Sequence, residues 1–428
     1  MSAIQNQPGG GGMAIQLWQH GPVLLLACVV LVTRRPDAIF HAQFFAEDGH
    51  VWFADAYNLG WWPTLFRAQD GYFQTLPRLG AALALLVPLP LAPLVLNFIA
   101  IAVQALPANL LLSSRSSAWG GLRYRALMAG LYLALPNVRE VNAIITSSQW
   151  VLALCVFLLL VASPPKDLAG RIFDVFVLLL CGLTGPFCVF LLPIAIFLAW
   201  RRRDGWGWTN AGILAALCLV QAWGLLVVDR SGRAHAALGA NPALFARILG
   251  GHVFLATLLG ANGLASHSSP PLSMLLFCAA IGGTAIVAIC FTQSGMEMKL
   301  FLLLTSALLA ASFISPAAYP PPGVTRWELL AGAGGIRYWY FPTLAFAWSL
   351  LRCFQTRVVA LKAVSVALMA LMCFGILRDW MLPAFMDLHF SDNVRQLEAA
   401  PPGTAVVFPE NPQGWDIRLV KRQPSADR

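Results

Sequence analysis

The sequence predicts an all-α polytopic membrane protein of about 11 transmembrane helices with juxtamembrane helices and a small mixed carboxyl-terminal tail. Three observations predict it. Of 428 residues, 58% are hydrophobic and only 11% charged, where a soluble domain carries roughly 25% charged residues. The apolar residues fall into blocks near the roughly 20 residues that a helix needs to cross hydrocarbon. The basic residues, which give a net charge of +9, gather in loops that share one side, as they do in membrane proteins. That placement argues against nucleic acid as a partner.

Spans are expected near 14–33, 91–112, 124–137, 147–163, 172–184, 186–200, 209–228, 272–292, 300–315, 336–352 and 357–377. Segment 77–87, between Pro77 and Pro88, reaches only about 17 Å at 1.5 Å per residue and reads as a juxtamembrane helix. Leaving it out puts loops 113–125, 163–171, 201–208, 293–299 and 352–362 on one side with the amino terminus. Those loops hold 12 Lys and Arg, so that side reads as the cytoplasm. The same parity makes 243–260 a second outer interfacial helix. The short spans 172–184 and 186–200 read as a hairpin turning at Gly182-Leu183-Thr184-Gly185-Pro186.

The expected organisation is a disordered cytoplasmic tail over 1–13, a membrane domain over 14–377 with its first outer loop at 34–90, and an extracytoplasmic tail over 378–428. In that last tail 390–399 reads as a short helix and 404–420 as a β-hairpin. No segment reads as a cleavable signal. Eight of the nine Cys lie inside apolar segments, as small fillers rather than a disulfide framework.

Polar groups collect on the expected outer side. Glu47 and Asp48 sit together in Phe44-Phe45-Ala46-Glu47-Asp48-Gly49-His50-Val51-Trp52-Phe53, directly after the first span. Desolvating an unpaired carboxylate costs several kcal/mol or more, so the pair must face water, a cation or a substrate. The same loop supplies Asp70, Tyr72, Gln74 and Arg78, and a loop of that length in a compact protein is usually functional. A surface cover whose acids merely face water is the plainer alternative.

Loop 138–149 offers Arg139, Glu140, Asn142, Thr146 and Gln149, hydrogen-bonding groups that suit a sugar, or equally a local ion pair with helix caps. Loop 316–337 offers Arg326 and, at the outer end of a span, Arg337 beside Tyr338. An arginine fork suits phosphate oxygens; an interfacial anchor in an aromatic belt is the plainer reading. His50, next to Asp48, reads as a proton relay or an interfacial His. His235, His252 and His267 are spaced too widely for a metal motif. No metal and no cofactor is expected, and there is no Gly-rich phosphate loop.

This layout resembles the glycosyltransferase C superfamily, polytopic enzymes that use lipid-phosphate-linked sugars. The resemblance rests on Glu47-Asp48 after the first span, Pro77-Arg78 opening the juxtamembrane helix, and the polar cluster after the third span. Arg337-Tyr338 with Pro342 is similar to a late Arg-Tyr-Pro element of bacterial members. The likeness covers 14–345 in layout and is nearest to bacterial members with a Glu-Asp-Gly first loop. It departs in lacking an Asp-x-Asp, and Leu76-Pro77-Arg78 stands where His-Pro-Pro or Lys-Pro-Pro would be.

The resemblance implies an enzyme of the bacterial inner membrane, and the basic loops with eleven spans put its amino terminus in the cytoplasm and its carboxyl terminus outside. It would move a hexosyl or pentosyl group from a polyprenyl-phosphate donor to a hydroxyl of a glycan, lipid or protein acceptor, among membrane lipids. Asp48 is then the expected general base, with Glu47 positioning acceptor or sugar or taking the reverse role. Arg337, followed by Arg78, Arg139 and Arg326, is expected on the donor phosphate. Asp70, Tyr72, Gln74, Glu140, Asn142, Gln149 and Tyr338 are expected on sugar or acceptor. The competing class is a transporter or flippase of a lipid-linked glycan, which should carry acids or broken helices at mid-membrane; acids within the expected spans are nearly absent.

Overall fold

The computed structural model describes residues 11–227, 236–261, 271–318, 320–332 and 334–423. Residues 1–10 of the expected amino-terminal tail, with His235 and His267, lie outside the described residues, while Gly11 already opens the helix Gly11–Arg34. The chain is 70% helical with almost no sheet, an all-α membrane protein. Each expected span falls on a helix.

Among the described residues, six helices are long and apolar enough to cross a membrane: Leu89–Leu112, Gly205–Leu226, Pro242–Leu259, Met274–Gln293, Met296–Ile314 and Val359–Arg378. The helix Ser148–Val161 is buried along its whole length. Apolar on every side, it can only be the centre of the bundle. Around it the short pair Leu168–Gly182 and Cys188–Arg202 forms two helices with a turn between them. Thr75–Ala84, at ten residues, is too short to cross, and Gly80 lets it lie against Ile145 and Leu96.

Pro242–Leu259, expected as an interfacial helix, has the length and apolarity to cross. Its polar partners nevertheless stand at or beyond the ends of other helices. Asn137 Nδ2 donates to the His252 carbonyl at 3.0 Å, His252 Nε2 meets the Ala331 carbonyl at 3.0 Å, and the Ala261 N–H donates to Asp379. These bonds hold its middle and its carboxyl end at the level of the loops. Gly250 has no room for a side chain, because the Leu276 carbonyl oxygen occupies it.

The two ends of the bundle differ in charge. At one end Arg115 reaches Asp174 with both guanidinium nitrogens, at 2.8 and 2.6 Å, and the Ser163 carbonyl at 2.8 Å. Arg202 covers the last carbonyls of Ser148–Val161, and Arg352 reaches the Gln293 carbonyl at 3.0 Å. The opposite end collects loop 34–90, loop 134–147 and the tail. Arg34 and Arg35, each only 1% exposed, join these three segments. Arg35 donates to the carbonyls of Asn142 at 2.8 Å and Arg139 at 2.9 Å, under the Phe385 ring. Arg34 donates to the Leu133 carbonyl at 3.0 Å, and its own carbonyl accepts from Leu382 at 2.8 Å.

The tail holds the expected helix, Phe390–Ala399, and the expected hairpin of β1 (Ala405–Glu410) and β2 (Trp415–Val420), antiparallel with Ala405 opposite Val420. Phe408, Ile417 and Leu419 are its buried face, laid on loop 34–90. Because Arg35 satisfies two carbonyls with one buried side chain, Arg35→Ala should strand both. We expect a loss of about 2–4 kcal/mol, read as a lowered unfolding temperature in detergent.

Candidate active site

Loop 34–90 turns into its short helices through an uncommon backbone. Ala46 has φ +51, a left-handed conformation that a non-glycine residue seldom adopts. The π-helical turn Asp48–Phe53 follows, continued by Ala54–Leu59. Wide turns of this kind often mark functional positions. Successive side chains on such a turn point in different directions, so the two neighbouring acids part company.

Asp48 goes inward. It is 2% exposed, and its Oδ1 accepts the backbone N–H of Thr146 at 3.1 Å and the Thr146 hydroxyl. That hydroxyl in turn accepts from the Trp52 indole N–H at 2.7 Å. Burial pushes the Asp48 carboxyl up to about 7, against the pull of the Thr146 bonds.

Glu47 goes the other way, into a cavity of ≈170 Å³. One wall is polar: Glu47, Asp70, Gln74, Thr146, Gln149 and Arg337. Tyr72 and Tyr338 stand between them. The other wall is apolar, made by Phe187 and Phe190 at the start of Cys188–Arg202 and by Leu308 and Ala311 near the end of Met296–Ile314, with the hydroxyl of Ser312 beside them turned back to the Leu308 carbonyl. Arg337 is about a third exposed and is held from behind. Glu140 Oε2 takes its backbone N–H at 3.3 Å and its Nη1 at 3.5 Å, and the Ala317 carbonyl takes its Nη2 at 3.3 Å. The ring of Tyr338 lies beneath the guanidinium at 5.2 Å. Burial raises the Tyr72 phenol well above its ordinary value, so it stays a neutral donor.

The floor is backbone. The Thr75 N–H donates to Leu183 and the Gly185 N–H to Phe73, both at 2.9 Å, while the Gln221 carboxamide accepts from Phe73 and donates to Gly182. Gly185 has φ +88, and the Gln149 carboxamide oxygen fills the space a side chain would need. These bonds bring loop 34–90 to the turn between Leu168–Gly182 and Cys188–Arg202.

Several expected site residues lie elsewhere. Asp48 does not line the cavity; its burial makes it a tie to Thr146. Arg78 is buried under the Trp52 ring and paired with Asp55 at 3.1 Å, because its ten-residue helix turns it toward Ala54–Leu59. Asn142 faces a separate small cavity beside Arg34 and Tyr132. Arg139 and Arg326 are not among the lining residues; Arg326 opens the helix Arg326–Ala331, which Thr325 and Glu328 cap. Glu140 acts on the cavity only through Arg337. His50 points outward to the Asp416 carbonyl at 2.6 Å, away from Asp48. Among the described residues no three His, Cys, Asp or Glu side chains converge as metal ligands would.

Residues that sequence reasoning did not single out complete the site: Trp52, Gln69, Trp150 and the whole apolar wall. Ser312 and Ser315 at the end of a span were the available signal. Compared with protein-family models and with curated proteins, the chain matches none.

The buried Asp48 makes stability depend on pH. The folded chain keeps its proton up to about 7, against 3.8 for the free side chain, so its contribution is full at low pH and is lost as pH rises through about 7. Asp48→Asn keeps an acceptor for Thr146 without the ionisation. It should gain stability relative to the wild type, by a few kcal/mol at most, between pH 4 and 8. Unfolding temperatures of both proteins across that range are the measurement; a constant gap is the contrary result.

Proposed function

We propose that the chain is a membrane glycosyltransferase that moves one sugar from a polyprenyl-phosphate donor to an acceptor hydroxyl. The observation that carries this reading is a single cavity with a carboxylate and a guanidinium on its polar wall and an apolar wall made by two helix ends. A lipid-linked sugar has the same two halves. The polar wall suits the sugar and phosphate, and the apolar wall suits the first isoprene units. The cavity has room for a sugar ring rather than an oligosaccharide. On the parity of the basic loops it opens at the outer face of the bacterial inner membrane, with the amino terminus inside and the carboxyl-terminal tail outside.

Glu47 is the general base, replacing Asp48 in that role, since it alone of the pair reaches the cavity. The acceptor oxygen attacks the anomeric carbon while the bond from that carbon to the phosphate oxygen breaks. Glu47 takes the hydroxyl proton, and the departing polyprenyl phosphate carries its new negative charge toward Arg337. A single displacement of this kind inverts the anomeric centre. Asp70, Gln74 and Gln149 are placed to orient sugar or acceptor hydroxyls. Glu140 and Tyr338 fix the direction of the arginine fork.

The test supplies the full-length protein in lipid nanodiscs with a set of polyprenyl-phosphate hexoses and pentoses and a bacterial envelope extract as acceptor, and measures released polyprenyl phosphate. Wild type should turn over at least one donor. Glu47→Gln should lower turnover by roughly 10²–10⁴-fold with donor binding retained, and Asp48→Asn should keep most of it. The opposite ranking would return the role to Asp48. Movement of the donor across the bilayer without release of polyprenyl phosphate would replace transfer by transport.

Arg337→Lys keeps the charge and loses the fork. Turnover of the best donor should fall by roughly 10- to 1,000-fold. Unchanged kcat and KM would leave Arg337 as an interfacial anchor.

A further inference from the structure

The carboxyl-terminal hairpin reaches the acidic loop from across the sequence. Glu410, at the end of β1, is 2% exposed. Its Oε1 accepts the backbone N–H of Gly49 at 2.9 Å, across 361 positions of chain, and the carboxyl also receives the His50 N–H. The next residue, Asn411, accepts the Ala46 N–H through its carbonyl, and its side chain exchanges hydrogen bonds with Met386 at 3.0 and 2.9 Å. Gly49 fits only because it has no side chain: a Cβ there would lie 2.5 Å from Ile417 and 2.6 Å from Glu410. The far end of the same helical segment is also held. Asn58 bonds the carbonyl of Arg418 and the N–H of Val420, and Arg422 donates to the Tyr57 carbonyl at 2.7 Å.

Of four consecutive residues, then, Ala46, Asp48 and Gly49 are each tied by a bond to another part of the chain. Glu47 is the one whose side chain faces the cavity. Burial pushes the Glu410 carboxyl up to about 10, so at neutral pH it holds Gly49 as a neutral group and adds no second negative charge behind Glu47. Its other oxygen, Oε2, has no hydrogen-bond partner among the described residues. An apolar side chain of the same size would fill this place at lower cost in desolvation; what it could not do is hold the Gly49 N–H.

We propose that Glu410 is a positioning residue for sugar transfer: by gripping the first turn after Glu47 it sets the direction of the Glu47 carboxylate, which makes the hairpin part of the active site. This rests on the reading of Glu47 as the base. Glu410→Leu keeps the volume and removes the acceptor, and Glu410→Gln keeps both.

Two measurements on the full-length protein in nanodiscs test it. Amide hydrogen exchange should rise at least about tenfold at Gly49 and His50 in Glu410→Leu, with 148–161 unchanged and an unfolding temperature no lower than wild type. Glu410→Gln should exchange as wild type does. In the donor-release assay, Glu410→Leu should lose roughly 10- to 100-fold in kcat with KM for the polyprenyl-phosphate sugar unchanged, and Glu410→Gln should restore it. Wild-type exchange at 49 and 50 in Glu410→Leu, or raised exchange with full kcat, would overturn the proposal. So would a Glu410→Leu protein that unfolds throughout. If the wild type releases no polyprenyl phosphate from any donor, sugar transfer falls, whereas the exchange result still decides whether Glu410 holds the turn.

Discussion

The site depends on one buried bond set, the Asp48 carboxyl received by the N–H and hydroxyl of Thr146. It crosses 98 positions of chain and joins the first long loop to the turn that opens the central helix Ser148–Val161. That helix is buried on every side, so Thr146 stands at the entrance to the centre of the bundle. Tying Asp48 there gives the loop a fixed reference. A carboxyl so placed is held against its own desolvation, and the cost is tolerated because Trp52 and Thr146 form a chain of bonds ending on it.

Once Asp48 is fixed, the rest of the loop follows. Arg34 and Arg35 close the start of the loop against 133–142 and the tail, and the 73–76 backbone closes its end against 182–185. The Arg78–Asp55 pair props Trp52 from below. The elements that line the cavity thus come from five separated parts of the chain, joined both by backbone hydrogen bonds and by lining side chains such as Thr146 and Arg337.

How much of this the residues disclose in order depends on the range of the interaction. The helices were legible because each is a block of apolar residues, whether or not it reaches spanning length. The hairpin was legible because an apolar run ending at Phe408 and the alternation of Ile417 and Leu419 with Asp416 and Arg418 flank the turn residues Pro412 and Gly414. The acidic pair was legible as a polar feature of the first loop, but not which member would face the cavity: Glu47 and Asp48 are adjacent in composition and context, and their directions are set by a π-turn and by Thr146 far along the chain. The apolar wall was not legible, since Phe187, Leu308 and Ala311 look like ordinary span residues until two helix ends meet. Glu410 was hidden for a related reason. An acid at the end of a strand in an exposed tail reads as surface, and only the fold brings it beneath Gly49.

The character of the cavity also bears on the choice between chemistry and transport. A carrier that moves a lipid-linked glycan needs a polar path through the depth of the bundle, with broken helices or acids along it. Here the polar wall sits where loop 34–90, Thr146 and Arg337 meet, at the loop end of the bundle. The centre is filled by Ser148–Val161, with Phe157, Phe301 and Trp348 packed across it. Those rings lie 5.4 and 4.7 Å apart, tilted against one another in the middle of the described bundle. On the proposed reading, a polar cavity bordered by apolar helix ends would hold a lipid headgroup at one level of the membrane, beside the carboxylate of Glu47 and the guanidinium of Arg337. That is the arrangement the proposed bond exchange asks for, whereas passage asks for polar groups along the depth of the bundle.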